Sequence, residues 1–192
     1  MKPIWLHALV KLLFSSAFVA FALWKGALES PYGIVVLVAL GFSWLGDLFL
    51  VPQTSAFFLS GLFSFLLAHL AFGAAFLLKR IDLLWAGSAI PVVVIVGLGI
   101  GRWLIPSVRT KNPKMFRPVL AYLVVISTMV TLAAGAAGSS RNFWILIGAV
   151  AFYGSDISVA REKFIEKSLA NKAWGLPLYY AAQFILAGTV VG

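Results

Sequence analysis

Long apolar runs separated by short polar segments set the pattern of this chain. They predict helices over residues 4–24, 32–51, 55–78, 83–105, 118–135, 142–160 and 173–191. Ser30-Pro31 introduces the second run and Pro52 stops it. Lys79-Arg80 ends the third, and Pro106 closes the fourth, which holds Pro91. The runs are continuous rather than alternating, which argues against a membrane β-barrel. Each approaches the roughly 20 residues that a helix needs to cross a hydrocarbon core. The expected fold is therefore all-α, a polytopic transmembrane helical bundle of about seven spans forming one membrane domain over residues 1–192. The start resembles a signal peptide, with Lys2 before an apolar run. Lys11 interrupts that run and no small-residue cleavage site follows, so a retained span is expected.

Composition strengthens this picture. The chain is 62% hydrophobic and 11% charged, with a mean hydropathy of +1.01, whereas soluble domains carry about 25% charged residues. There is no cysteine, so disulfides and thiolate metal sites are excluded. The net charge of +9 is read as loop charge that sets topology and meets anionic lipid, not as a nucleic-acid surface. The N-terminus and loops 2–3, 4–5 and 6–7 carry nine lysines and arginines; the other side carries four, Lys25, Lys79, Arg80 and Arg141. The expectation is a cytoplasmic N-terminus and an outside C-terminus.

Two of the six acidic residues fall inside predicted spans. Asp47 and Asp156 each lie about four residues before a helix end, roughly 6 Å inside the span. A carboxylate at mid-span costs roughly 2.5–3.5 kcal/mol on insertion scales, so it marks function by default. Lys11, Tyr122, Tyr179, Tyr180 and Gln183 lie at comparable depths on helices that start from the same side, and His69 lies deeper in helix 3. Stripes at helical spacing, His7-Lys11-Ser15, Ser43-Asp47, Tyr153-Asp156, Ser127-Thr131 and Tyr179-Gln183, point toward protein or water rather than lipid. The same residues allow structural readings: a Lys11–aspartate ion pair, a core histidine, interhelical hydrogen bonds. Residues 97–101, Gly-Leu-Gly-Ile-Gly, suit close helix packing better than nucleotide binding. No metal-ligand spacing is present, and no Ser-His-Asp order, GxSxG or HExxH. Two carboxyl groups in a low-dielectric pocket tend to share one proton, giving an acid beside a base. That pairing suits hydrolysis through an oxocarbenium-like transition state.

Residues 42–51 (FSWLGDLFLV), Ala68-His69-Leu70 within 58–72, 121–129 (AYLVVISTM), 154–164 (GSDISVAREKF) and 178–186 (LYYAAQFIL), together with Lys11, resemble the lysoplasmalogenase family, YhhN-like in bacteria. The family usually has one more helix before the lysine helix, and Lys-Pro where Lys11-Leu12 stands here. The resemblance implies hydrolysis of the vinyl ether bond of lysoplasmalogens, without metal or organic cofactor, in a cell membrane that is the inner membrane in bacteria. It implies Asp47 and Asp156 as catalytic groups. Lys11, His69, Tyr122, Ser155, Tyr179, Tyr180 and Gln183 would line a pocket for a lysophospholipid, and Arg161 would meet its phosphate. A proton-coupled transporter, or a hydrolase of another ether or epoxide lipid, is the alternative on the same residues.

Overall fold

A computed structural model of the chain describes residues 4–52 and 54–191, with side chains from Ala8 onward. The side chains of Lys2 and His7 lie outside the described residues. Seven α-helices follow in order: α1 (Ile4–Trp24), α2 (Pro31–Phe49), α3 (Ser55–Leu78), α4 (Leu83–Lys111), α5 (Phe116–Ser140), α6 (Trp144–Ala160) and α7 (Leu169–Gly188). No strand occurs among the described residues. The fold is an all-α helical bundle. By length and composition α2, α3, α4 and α5 can cross a membrane, and the chain is an integral membrane protein.

Local chemistry explains the helix starts. Ser30 caps α2 by accepting from the Gly33 N–H at 3.0 Å, with Pro31 in the first turn where no N–H is needed. Asp82 caps α4 through the Leu84 and Trp85 amides. Ser168 caps α7 through the Asn171 N–H at 3.2 Å, so α7 begins four residues before the apolar run suggests. Helix α4 also exceeds its expectation: it runs through Pro106 to Lys111. Leu104 and Val108 are buried there with Met115, Val119 and Phe164, and Lys111 Nζ donates to the Ile165 carbonyl at 2.8 Å. These contacts outweigh the backbone hydrogen bond that proline removes. At 29 residues, α4 is about 44 Å long, so its end projects beyond a hydrocarbon core of about 30 Å.

Six helices close into a ring in the order α1, α2, α3, α5, α6, α7 and back to α1. Helix α4 lies outside the ring, against α5. Close approach at glycine sets two contacts. A Cβ at Gly46 would stand 2.7 Å from the Phe65 ring of α3, and one at Gly175 would overlap the Ser158 hydroxyl of α6. Asp47 follows Gly46 directly, and Ser158 lies two residues past Asp156, so these contacts also hold the two carboxylates in register. The closed end of the ring is aromatic: Phe18, Phe72, Phe76 and Phe152 are fully buried. With lipid as solvent, this packing rather than hydrophobic transfer drives association.

Candidate active site

Asp47, 2% exposed, is surrounded by donors. Lys11 Nζ from α1 lies 2.9 Å from its Oδ1. Ser15 Oγ, one turn further along α1, donates to Oδ2 at 2.6 Å, and Tyr179 of α7 donates to the same oxygen at 2.7 Å. An ionised carboxylate offers about four acceptor positions and no donor. Three are filled by donors, one of them cationic. The position of the lysine and the serine four residues apart on one helix face places both on one carboxylate.

Asp156 has a different neighbourhood. Tyr122 of α5 donates to its Oδ2 at 2.7 Å. His69 Nε2 lies 3.3 Å from the same oxygen, at ion-pair distance but without hydrogen-bond alignment. The other ring nitrogen, Nδ1, is 2.5 Å from the Phe65 carbonyl. A carbonyl only accepts, so Nδ1 carries a proton. In a neutral imidazole Nε2 then presents its lone pair to a carboxyl oxygen. The ring is held by Phe152, with centroids 4.3 Å apart, and by Tyr122 at 5.2 Å.

Asp47 and Asp156 line one cavity of about 340 Å³, within the range of small-molecule sites. Its inner wall includes Phe65, Tyr153 and Tyr179; Phe65 packs edge-on against Phe152 and Tyr179. Its mouth lies where Pro52 and Thr54 meet a π-helical turn (Arg161–Ile165) and the start of α7. Lys163, Lys167 and Lys172 stand there. Burial and the nearby Lys167 hold the Lys163 ammonium below its ordinary value. Glu162, 3.7 Å from Lys172, also accepts from the Ser168 N–H and the Asn171 amide. Burial pushes its carboxyl up, but these donors and Lys172 together hold it below the ordinary value.

The structure brings Lys11, Tyr122, Ser155 and Tyr179 to the cavity wall beside the aspartates. His69 reaches Asp156 from behind the wall. Ser155 is turned to its own helix, donating to the Phe152 carbonyl. The Tyr180 hydroxyl meets the Lys11 carbonyl at 3.4 Å. Gln183 is fully buried, and neither side-chain polar atom has a hydrogen-bond partner among the described residues. Arg161 is outside the cavity lining and lies 3.8 Å from Glu166. Sequence reasoning did not single out Ser15 as a ligand of Asp47, or Lys167 and Lys172 of the mouth; Lys163 reads equally as topology anchor or phosphate ligand. The four-residue spacing of Lys11 and Ser15 was the available signal for the first. Lys167 and Lys172 read only as loop charge.

The sequence profile of the YhhN family matches residues 6–190. Lysoplasmalogenase TMEM86A of Bos taurus is 28% identical over 99% of this chain and 80% of its own length. A Mycobacterium bovis protein named lysoplasmalogenase is 33% identical over 94% of this chain and 69% of its own length. Human lysoplasmalogenase TMEM86A is 26% identical over 99% of this chain and 80% of its own length. No solved structure is significantly similar.

Proposed function

The chain belongs to the YhhN family, and from that premise we propose that it is an intramembrane hydrolase of lysoplasmalogens. It cleaves the vinyl ether bond and releases a fatty aldehyde and a glycerophospho-ethanolamine or -choline. The observation that carries this reading is the contrast between two buried carboxylates on one cavity. Asp47 is ringed by three donors, the cationic Lys11 with Ser15 and Tyr179. Asp156 accepts from the neutral Tyr122 hydroxyl and lies 3.3 Å from His69 Nε2, outside hydrogen-bond alignment.

The chemistry follows from that proton inventory. The Asp156 carboxyl delivers its proton to the β-carbon of the vinyl ether. The C=C electron pair forms the new C–H bond, leaving an oxocarbenium ion. The fixed negative charge of Asp47 stabilises this cation in a low-dielectric site, where such stabilisation is strongest. Water in the remaining acceptor position of Asp47 adds to the oxocarbenium carbon and gives up a proton to that carboxylate, forming a hemiacetal. The hemiacetal collapses: its C–O bond to glycerol breaks, the glycerol oxygen takes the proton from Asp47, and the hydroxyl proton passes to Asp156 as the aldehyde carbonyl forms, restoring both carboxyl groups. His69 is a positioning residue that keeps a proton available to Asp156. No electron donor or acceptor enters the balance.

The substrate's polarity fits the cavity. The mutual repulsion of Lys163 and Lys167 at the mouth is relieved by an anion such as a phosphodiester. The mouth sits at loops 2–3 and 6–7, so the basic-loop count assigns it, with the N-terminus, to the cytoplasmic side. We read the whole chain as one membrane domain, residing in the inner membrane if the source is bacterial.

The test compares a lysoplasmalogen with its saturated alkyl-ether analogue, using purified protein in detergent and mass spectrometry of fatty aldehyde. Aldehyde should come from the vinyl ether only, and be lost in Asp47→Asn and Asp156→Asn that remain folded. Full turnover in both variants would overturn the mechanism.

A further inference from the structure

A second hollow lies on the flank of the bundle, between the N-terminal halves of α3 and α5. It measures about 500 Å³ and is lined by Leu59, Leu62, Phe63 and Leu66 of α3 with Ala121 and Tyr122 of α5. Its outer edge is open: Leu59 is 44% and Phe63 59% exposed. This face lies in the membrane span, so the groove opens onto lipid, not onto water.

Leu62 and Tyr122 line both this groove and the carboxylate cavity. The Tyr122 ring is part of the partition, while its hydroxyl donates to Asp156 on the inner side. A single layer of side chains therefore separates the outer groove from the acid. The cavity also has an apolar side lined by Ile100 and Leu104 of α4 with Leu123 and Ile126 of α5. Its mouth is lined with lysines, and its inner wall is closed by the edge-on packing of Phe65, Phe152 and Tyr179.

We propose that the α3–α5 groove is the hydrocarbon-chain site of the substrate, entered when Leu62 and Tyr122 move apart. This rests on the lipid-hydrolase reading above. The phosphate stays at the mouth, the reactive bond lies between Asp47 and Asp156, and the chain passes the partition into the groove. A chain so placed never leaves an apolar medium, because the groove is continuous with the bilayer. Contact of the chain with Tyr122 also tells the acid that a substrate is seated, since the hydroxyl on Asp156 belongs to the residue that must move.

The test uses a lysophospholipid alkyl ether, which has no vinyl C=C to protonate, with a photoactivatable diazirine in its chain. Cross-linked peptides are mapped by mass spectrometry in detergent and in bilayers. Label should concentrate on residues 59–66 and 118–122, and be competed by unlabelled lysolipid but not by diacyl lipid. In parallel, Ala121→Trp fills the groove from an exposed position. It should lower the ratio of kcat/KM for long-chain over short-chain vinyl ether substrates at least tenfold, and Val94→Trp on the lipid face of α4 should leave that ratio unchanged. Label confined to the mouth, spread evenly over the outer helices, or competed equally by diacyl lipid would overturn the groove assignment. So would an unchanged ratio in Ala121→Trp. Failure of the hydrolase reading shows separately, as absence of aldehyde from any vinyl ether, while the cross-linking pattern still reports where the chain binds.

Discussion

His69 Nε2 faces Asp156 Oδ2 at 3.3 Å while His69 Nδ1 is held on the Phe65 carbonyl at 2.5 Å. One nitrogen is committed to the backbone, so the other must share a proton with the carboxyl or oppose it lone pair to lone pair. That constraint distinguishes the two carboxylates more sharply than their sequence positions do.

Replacing His69 should therefore reduce the chemical step rather than binding. His69→Phe keeps an aromatic ring against Phe152 and Tyr122 but removes both nitrogens. Expected kcat falls by roughly 10²–10⁴, the range of general acid–base contributions, with KM changed by less than about threefold if chemistry limits turnover. Steady-state kinetics on a lysoplasmalogen check this. A large rise in KM at unchanged kcat would assign His69 to substrate binding instead.

Lys11 and Asp47 form a buried ion pair, and removing one partner strands the other. Lys11→Met should destabilise the bundle by about 3–5 kcal/mol. The double variant Lys11→Met with Asp47→Asn should recover much of that stability while remaining inactive. Thermal unfolding in one detergent, read beside aldehyde production, gives both halves of the result. Equal destabilisation in the single and double variants would mean that the pair is not coupled.

The adjacent tyrosines of α7 should differ. Tyr179 donates to Asp47 at 2.7 Å; Tyr180 reaches the Lys11 carbonyl, at 3.4 Å. A hydrogen bond to a charged group is worth about 1.5–3 kcal/mol. Tyr179→Phe should therefore cost at least tenfold in kcat/KM, and Tyr180→Phe less than about threefold. Parallel kinetics of the two variants decide it, and the reverse order would displace Tyr179 from the site.

Acid should loosen the mouth through Glu162. The donors around it hold its folded carboxyl below the ordinary value of 4.5. A depressed carboxyl contributes stability that is fully present above the unfolded value and is lost as pH falls through the folded one. Hydrogen exchange over residues 161–172 should thus quicken, beyond its intrinsic pH dependence, below about pH 4.5. Glu162→Gln should exchange faster at neutral pH and lose that extra acid sensitivity. Identical profiles for the two proteins would remove Glu162 from the account.

Much of this protein is legible in one dimension. An α-helix in lipid satisfies its own backbone within each segment, so long apolar runs alone identify the helices. A carboxylate in such a run stands out against its apolar neighbours, which is why Asp47 and Asp156 are conspicuous in the chain itself. Boundaries fail where distant contacts override local signals. Pro106 reads as a stop, yet α4 continues because Met115 and Phe164, from other segments, bury Leu104 and Val108. The Ser168 cap of α7 is hidden in a charged stretch that reads as loop.

Sequence alone thus determined the helical bundle, its membrane character and the two acids within apolar helices. Only tertiary structure decided the partners: Lys11, Ser15 and Tyr179 on Asp47, Tyr122 and His69 on Asp156. It also decided that α4 stands outside the ring, and that Leu62 and Tyr122 divide a cavity from a groove. The reason is physical. Helix formation is a local matter of backbone hydrogen bonding and apolar length. Which faces meet depends on the order and rotation of helices, set by side-chain packing at close approaches such as Gly46 on Phe65 and Gly175 on Ser158, between residues far apart in the chain.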